Sequence, residues 1–208
     1  MGDSESMPLQ NRVTPDARIV RENWRGDFMG NRGGRIHDPF TKTLLKRKWA
    51  SKRWIICVTK FKNRHREVMG NSYTEVFFLD EVSALAAGHR PCFECRRKDA
   101  HAFAKSWIQT FGKPLGSLAD TMDKLLHEER TLDAKLIAEK EFSALPDGVM
   151  VKISEFCFAK KDNQTYKWSG NGYHNAELPK GDIVLLTPPS IIAALQNGYE
   201  PYWHWSAQ

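Results

Sequence analysis

The chain has 208 residues, of which 41% are hydrophobic and 27% charged, as in an ordinary globular protein. Its formal net charge is +6, and no apolar stretch approaches the roughly 20 residues of a membrane-spanning helix. The opening segment, MGDSESMPLQNRVTPD, lacks the apolar core of a secretory signal. These features exclude a membrane protein and predict a cytoplasmic location.

The first part of the chain is predicted to hold a small antiparallel sheet. Residues 1–17 are polar and predict a disordered tail. A short strand, Arg18 to Val20, and a glycine-rich basic loop over 28–38 follow. Residues 53–61, RWIICVTKF, are β-branched and aromatic, as strands are. Residues 66–79 supply the predicted returning strands.

Helices are predicted for the middle of the chain. Asp80 is a suitable N-cap for a short helix, Glu81 to Ala87. Residues 98–110 place apolar side chains at helical spacing. The stretch 117–144 has the most helical composition, with a break expected at Thr131.

The last part of the chain is predicted to be rich in strands and to end with a short helix, at 149–153, 155–159, 165–168, 182–186 and 190–196. The elements lack the β–α alternation of a parallel sheet, which indicates an α+β fold. We expect two regions, 18–113 and 114–208, packed as one domain or as two closely associated ones.

The segment GHRPCFECRR, residues 88–97, carries the strongest chemical signal. Cys92 and Cys95 have C-x-x-C spacing, which lets one turn direct both sulfurs at a single ion. The neighbouring arginines and the start of the next helix favour thiolates. A redox dithiol is the alternative, but the strand-then-helix context of thioredoxin is missing. The motif therefore predicts a zinc site.

Residues 73–97, YTEVFFLDEVSALAAGHRPCFECRR, resemble the second half of the zinc-binding domain of the bacterial adaptive-response (Ada) DNA-repair family. A strand, a short helix ending in Ala-Ala-Gly and an Arg-Pro-Cys turn follow in the same order. The resemblance implies an Ada-like zinc knuckle with four ligands. That family's upstream C-x-x-x-C pair, which includes the methyl-accepting cysteine, has no counterpart here. The resemblance therefore implies a structural zinc site without methyl transfer. The whole chain also resembles a bacterial protein family, which implies no particular activity.

A structural zinc ion takes four nitrogen or sulfur ligands. Cys57 is the expected third ligand, because its strand is expected beside the one that ends near Leu79. His37 is the expected fourth, because the glycines before it and Asp38-Pro39 after it would hold it on a fixed loop. The other histidines considered for this position are His65, His89 and His101.

The basic residues are concentrated before residue 100, which indicates an anionic partner, most commonly nucleic acid, and here DNA. Five arginines near the glycine-rich loop and the cysteine turn are the candidate phosphate-binding residues: Arg32, Arg35, Arg90, Arg96 and Arg97. A solvated basic face is the alternative interpretation of the same charge pattern.

A catalytic alternative rests on a second group of residues. Asp123 and His127 share a predicted helix face, and Glu128 adjoins them. Together with His37 they would form a metal-dependent hydrolase or nuclease, in which the ion keeps a position for water. A metal-stabilised protein–protein adaptor is a third possibility. The sequence as a whole best fits a zinc-binding, nucleic-acid-associated protein of open oligomeric state.

Overall fold

The computed structural model describes residues 7–65 and 67–207, and in these residues the chain forms two six-stranded β-sheets and five α-helices. From edge to edge, the N-terminal sheet consists of β2 (Ile19–Arg21), β1 (Gln10–Val13), β5 (Val76–Phe78), β3 (Phe28–Arg32), β4 (Trp54–Val58) and β6 (Arg90–Pro91). The C-terminal sheet consists of β11 (Gly172–Asn175), β10 (Gln164–Ser169), β9 (Phe156–Lys161), β8 (Met150–Ile153), β12 (Ile183–Leu185) and β7 (Lys135–Ile137). The predicted α+β class is confirmed.

The five helices are α1 (Glu81–Ala86), α2 (Arg97–Phe111), α3 (Leu118–Thr131), α4 (Glu139–Ala144) and α5 (Pro189–Gln196). Helix α1 precedes the cysteine turn, and α2 and α3 follow it. Helix α4 lies between β7 and β8, and α5 follows β12. The expected break at Thr131 is confirmed. After it the chain is extended at Leu132, and β7 pairs with β12 through Ile137 and Ile183.

The N-terminal sheet differs from the small antiparallel sheet that the sequence predicts. It is mixed, because β1 pairs in parallel with β5, and β4 in parallel with β6. The expected disordered tail is wrong for Gln10–Val13, which form β1, whereas residues 1–6 lie outside the described residues. The expected loop is wrong for Phe28–Arg32, which form the inner strand β3. Gly30 permits this strand, since an added Cβ would lie 2.2 Å from the Ile55 carbonyl oxygen.

The two regions expected from the sequence share one hydrophobic core. A single buried cluster includes Phe28 and Phe78 of the N-terminal sheet, Phe103 of α2, Ile153 of the C-terminal sheet and Leu195 of α5. Each such side chain contributes about 1.5–3 kcal/mol when it is fully removed from water. The position of α2 relative to both sheets is therefore fixed by packing.

Helix α1 leads the chain into the cysteine turn from a fixed starting point. Its N-cap, Asp80, accepts a hydrogen bond from Ser83 N at 2.9 Å, and the Ser83 hydroxyl in turn hydrogen-bonds the Asp80 backbone. The same carboxylate accepts bonds from the Tyr173 hydroxyl and from His204 N, both at 3.1 Å. Burial raises the pKa of Asp80. Beyond the helix, Gly88 adopts φ +75° and turns the chain towards β6.

Candidate metal centre

Three cysteines meet at the edge of the N-terminal sheet. The Sγ atoms of Cys57, Cys92 and Cys95 all lie within 4.8 Å of one another. Strand pairing explains the approach: β4 and β6 are parallel with Ile56 opposite Pro91, so the next residues of both strands, Cys57 and Cys92, are neighbours. Cys92 N also donates to the Ile56 carbonyl oxygen at 2.9 Å.

The backbone of the C-x-x-C segment forms a tight turn that brings in the third sulfur. Glu94 N donates to Cys92 Sγ at 3.4 Å, and Arg96 N donates to the Cys92 carbonyl oxygen at 3.0 Å. The turn ends where α2 begins, at Arg97. Cys95 is thereby held against the other two cysteines while it stays half-buried.

The electrostatics of the cluster favour a shared negative charge. Hydrogen bonds from Cys57 and then Cys95 lower the pKa of Cys92 far below its ordinary value. The hydrogen bond to Cys92 and burial raise the pKa of Cys57. These opposite directions favour one negative charge within the cluster, with Cys92 as the sulfur that carries it. In a tetrahedral zinc site with Zn–S bonds of about 2.3 Å, sulfurs lie about 3.8 Å apart, so the three cysteines are close enough to hold one ion.

The expected fourth ligand, His37, is not part of this cluster. Its ring is 1% exposed, and both ring nitrogens already have partners. Nδ1 lies 2.6 Å from Thr74 Oγ1, and Nε2 lies 2.8 Å from the Gly70 carbonyl oxygen. The prediction of His37 as a zinc ligand is therefore corrected: the loop holds it rigidly, as expected, but in a hydrogen-bonded structural position.

The other histidines considered are not in the cluster either. His89 is buried against Trp54 and Phe78, with Nδ1 on the Ala87 carbonyl oxygen. His101 is exposed beside Phe93, and His65 is exposed on the loop after β4. Across 7–65 and 67–207, the only group of three or more potential ligands that could hold an ion is the cysteine cluster.

Three of the five arginines predicted to bind phosphate are buried. Arg90 donates to both carboxylate oxygens of Asp123, at 2.8 and 2.6 Å. Arg96 pairs with Glu81 at 2.8 Å, and Arg32 is 3% exposed. Arg90 and Arg96 are corrected to structural ion pairs. Arg35 and Arg97 are exposed.

The residues of the catalytic alternative are also separated. Asp123 is occupied by Arg90, whereas the His127 ring packs edge-on against Trp49 at a centroid distance of 5.3 Å. Glu128 is exposed, and His37 is buried beside Thr74. Within the described part of the chain these four residues do not form a metal-binding group. The predicted metal site of the hydrolase, with His37, Asp123, His127 and Glu128 around one ion, is therefore not formed.

A feature that the sequence reasoning missed is a groove of about 1370 Å³ between the N-terminal sheet, the end of α3 and the start of α5. We call it the basic groove, because its lining includes Arg18, Arg32, Lys46, Arg47, Lys48, Arg130 and Lys135 but only Asp16, Glu129 and Asp133 as acids. Trp49 lines it and is 37% exposed. The run KRKW at 46–49 was the visible signal in the sequence.

No protein-family model, curated protein or solved structure matches this chain. The resemblance to the Ada zinc domain therefore stays a prediction. None of the helices in the described residues has the length and apolar character to cross a membrane.

Proposed function

We propose that this chain is a zinc-binding protein in which Cys57, Cys92 and Cys95 hold one structural zinc ion, and that it associates with nucleic acid. The observation that carries the proposal is the convergence of three thiols from two separate segments on one point. Thiolate ligands at C-x-x-C spacing select zinc among the common divalent ions.

The proposed role of the ion is to fasten the cysteine turn to β4. The turn precedes α2, which places Phe103 and Trp107 in the core. An ion that bridges Cys57 to the turn would therefore stabilise the junction between the sheet and this helix. The three cysteines supply three of the four ligands that a structural zinc ion takes, and the described histidines are engaged or lie outside the cluster.

A structural role is favoured over a catalytic one by the surroundings of the cluster. The charged side chain within the C-x-x-C turn, Glu94, pairs with Arg64 at 2.6 Å, and both side chains are exposed. The acid–base candidates of the hydrolase alternative, Asp123 and His127, are held by Arg90 and Trp49 instead.

Nucleic-acid association is supported by the exposed positive charge. Arg35 and Arg97 are exposed, and Lys46, Arg47 and Lys48 line the basic groove. Lysine and arginine side chains beside an exposed aromatic such as Trp49 suit a phosphate backbone and a stacked base.

The zinc proposal is tested by elemental analysis of four matched variants: Cys57→Ala, Cys92→Ala, Cys95→Ala and Cys157→Ala. Cys157 is the control, because it is a buried cysteine of β9 that belongs to the other hydrophobic cluster. We expect one zinc per wild-type chain and per control chain, and strong loss from the other three. Equal zinc in all five proteins would rule the site out. Cobalt substitution then reports thiolate ligation directly.

Nucleic-acid association is tested separately, by binding of a short duplex and a short single strand across a salt series. Neutralised phosphates release counterions, so the affinity is expected to fall linearly on a log–log plot. Lys46→Gln/Lys48→Gln should reduce the slope by about two. A flat response would refute this part of the proposal and leave the zinc site untouched.

A further inference from the structure

We call the part of the basic groove around Trp54 its inner end, and it contains two guanidinium groups that form no salt bridge with a described carboxylate. Arg32 and Arg130 both line the groove. Their Cζ atoms lie 4.0 and 4.3 Å from the centroid of the Trp54 ring, so the two positive charges are within about 8 Å of each other. Across the described residues neither has a carboxylate within salt-bridge distance.

This arrangement is exceptional for the molecule. Among the described arginines that are more than nine-tenths buried, Arg90 and Arg96 are each neutralised by a carboxylate, Asp123 and Glu81 respectively, whereas Arg32 is not. An isolated buried charge is costly unless an opposite charge compensates it. Burial and the charge of Arg130 lower the pKa of Arg32 to about 9. The structure thus keeps Arg32 buried without a paired carboxylate and next to a second cation, Arg130.

The same place contains hydrogen-bond donors without acceptors. Within 7–65 and 67–207, no partner is found for the buried Nε of Arg32, the buried Nε of Arg130 or the indole Nε1 of Trp54. The remaining guanidinium nitrogens that are paired bind backbone carbonyls: Arg32 binds Ala17, and Arg130 binds Gly88 and Lys52. These bonds fix the orientation of both side chains and leave each charge available.

Two of the three acids that line the groove have partners of their own. Asp16 pairs with Lys152 and Arg18. Glu129 accepts hydrogen bonds from the backbone and hydroxyl of Ser190. The charges of Glu129 and Asp123 favour the charged form of Arg130, so the positive charge that is left without an acidic partner is centred on Arg32, which meets the like charge of Arg130.

We propose that the inner end of the basic groove, built from Arg32, Trp54 and Arg130, binds a phosphate group. The unpartnered donors are two guanidinium N–H groups and an indole N–H on three different side chains, and a tetrahedral phosphate offers an oxygen for each, whereas a planar carboxylate offers two oxygens. Arg18 and Lys46 to Lys48 along the same groove complement further negative charge on the ligand.

The phosphate group has two possible sources, a free nucleotide and the backbone of a single strand. Only the second rests on the proposed association with nucleic acid, and neither depends on zinc. The groove is separate from the cysteine cluster, since none of the three cysteines lines it.

The test is a titration of the zinc-loaded, isotope-labelled full chain with inorganic phosphate at constant ionic strength, followed by nuclear magnetic resonance. The Trp54 indole N–H signal, assigned with Trp54→Phe, and the arginine Nε–H signals are expected to move saturably. Arg130→Gln should weaken this binding at least about tenfold, because it removes a charge-assisted hydrogen bond. Lys105→Gln, the same charge change at an exposed position of α2, should bind like the wild type.

Two results would overturn the proposal. The first is a wild-type protein whose Trp54 and arginine signals do not respond to millimolar phosphate; this result needs no variant and so does not depend on how well Arg130→Gln folds. The second is an equal response to acetate, which would remove the assignment to phosphate.

Two further arms identify the source of the phosphate. If adenosine monophosphate moves the same signals and binds more tightly than inorganic phosphate, while an oligothymidylate does not move them, the ligand is a free nucleotide and the nucleic-acid part of the proposed function fails alone. If the oligothymidylate moves them at lower concentration than either, the site holds a strand. Zinc content is measured on the same samples, so that failure of the metal site can be distinguished from failure of the phosphate site.

Discussion

The buried pair of Arg90 and Asp123 gives the sharpest test of how the structure uses its positive charge. The two side chains are 3% and 6% exposed and are joined by two hydrogen bonds, at 2.8 and 2.6 Å. The sequence assigned Arg90 to phosphate binding, whereas the structure makes it a link between β6 and α3. Replacement of Arg90 by methionine therefore tests stability and not ligand affinity.

The expected cost follows from the partner that is left behind. In Arg90→Met the Asp123 carboxylate keeps one salt-bridge partner among the described residues, Arg53, at 3.8 Å and on a side chain that is 62% exposed, together with the more distant charge of Arg130. Removal of one member of a buried ion pair costs about 3–5 kcal/mol. A domain of ordinary stability has about 5–15 kcal/mol in total, so the free energy of unfolding should fall by a large fraction.

The double variant Arg90→Met/Asp123→Leu should recover most of this loss, since both charges are then replaced by apolar groups. Urea unfolding, followed by circular dichroism, gives all the values needed for the cycle. Zinc content must be checked in each protein, because Arg90 is two residues from Cys92.

The dependence on pH adds a second readout. Burial already raises the pKa of Asp123 in the wild type, and loss of Arg90 removes an interaction that lowers it. A carboxyl whose folded pKa is raised loses stability as the pH rises through that value. The deficit of Arg90→Met relative to wild type should therefore be smaller at pH 5 than at pH 8. A cost below about 1 kcal/mol at both pH values would refute a buried, charged pair.

Two further predictions concern the residues around Trp54. Burial, followed by the charges of Arg32 and Arg130, lowers the pKa of His89 well below 6.5. Below pH 6.5 the unfolded chain therefore binds one more proton than the folded chain. The free energy of unfolding should then fall with decreasing pH by up to about 1.4 kcal/mol per pH unit. In urea titrations His89→Phe should lack this part of the slope, and an unchanged slope would contradict the assignment. Gly88 has φ +75°, and an added Cβ would lie 2.6 Å from Arg130 Cδ, whereas Gly198 has φ +87° with nothing within 4 Å. Both alanine variants should lower the free energy of unfolding by about 1–2 kcal/mol, because alanine is strained in a left-handed backbone conformation. Only Gly88→Ala should also displace Arg130, which would change the arginine Nε–H signals. Arginine spectra that are the same in both variants would contradict the contact.

The local elements of the fold could be predicted from the sequence because their causes are local. The Asp80 cap and the apolar spacing of 97–111 act over a few residues, and α1 and α2 appear where they were expected. The C-x-x-C turn is likewise a property of one short segment, and the structure brings its two sulfurs together.

The errors come from strands whose partners are distant in the chain. Residues 10–13 are polar enough to suggest a tail, and 28–32 contain a glycine that suggests a loop. Both segments are strands because β5 supplies a neighbour for each of them more than 40 residues later. Their own composition does not contain that information, since the pairing is decided by packing of the whole sheet.

The sequence by itself determined a basic α+β chain with a paired-cysteine turn, because composition, helix capping and short spacings depend only on residues that are close together in the sequence. What only the tertiary structure decided is the role of each charge and each histidine. Arg90 meets Asp123 across 33 residues, His37 meets Thr74 across 37, and Arg32 and Arg130 meet around Trp54 without a salt bridge to a described carboxylate. Whether a cation is neutralised inside the protein or left for a ligand depends on which side chains the fold places beside it, because electrostatic energy depends on distance in space and on burial.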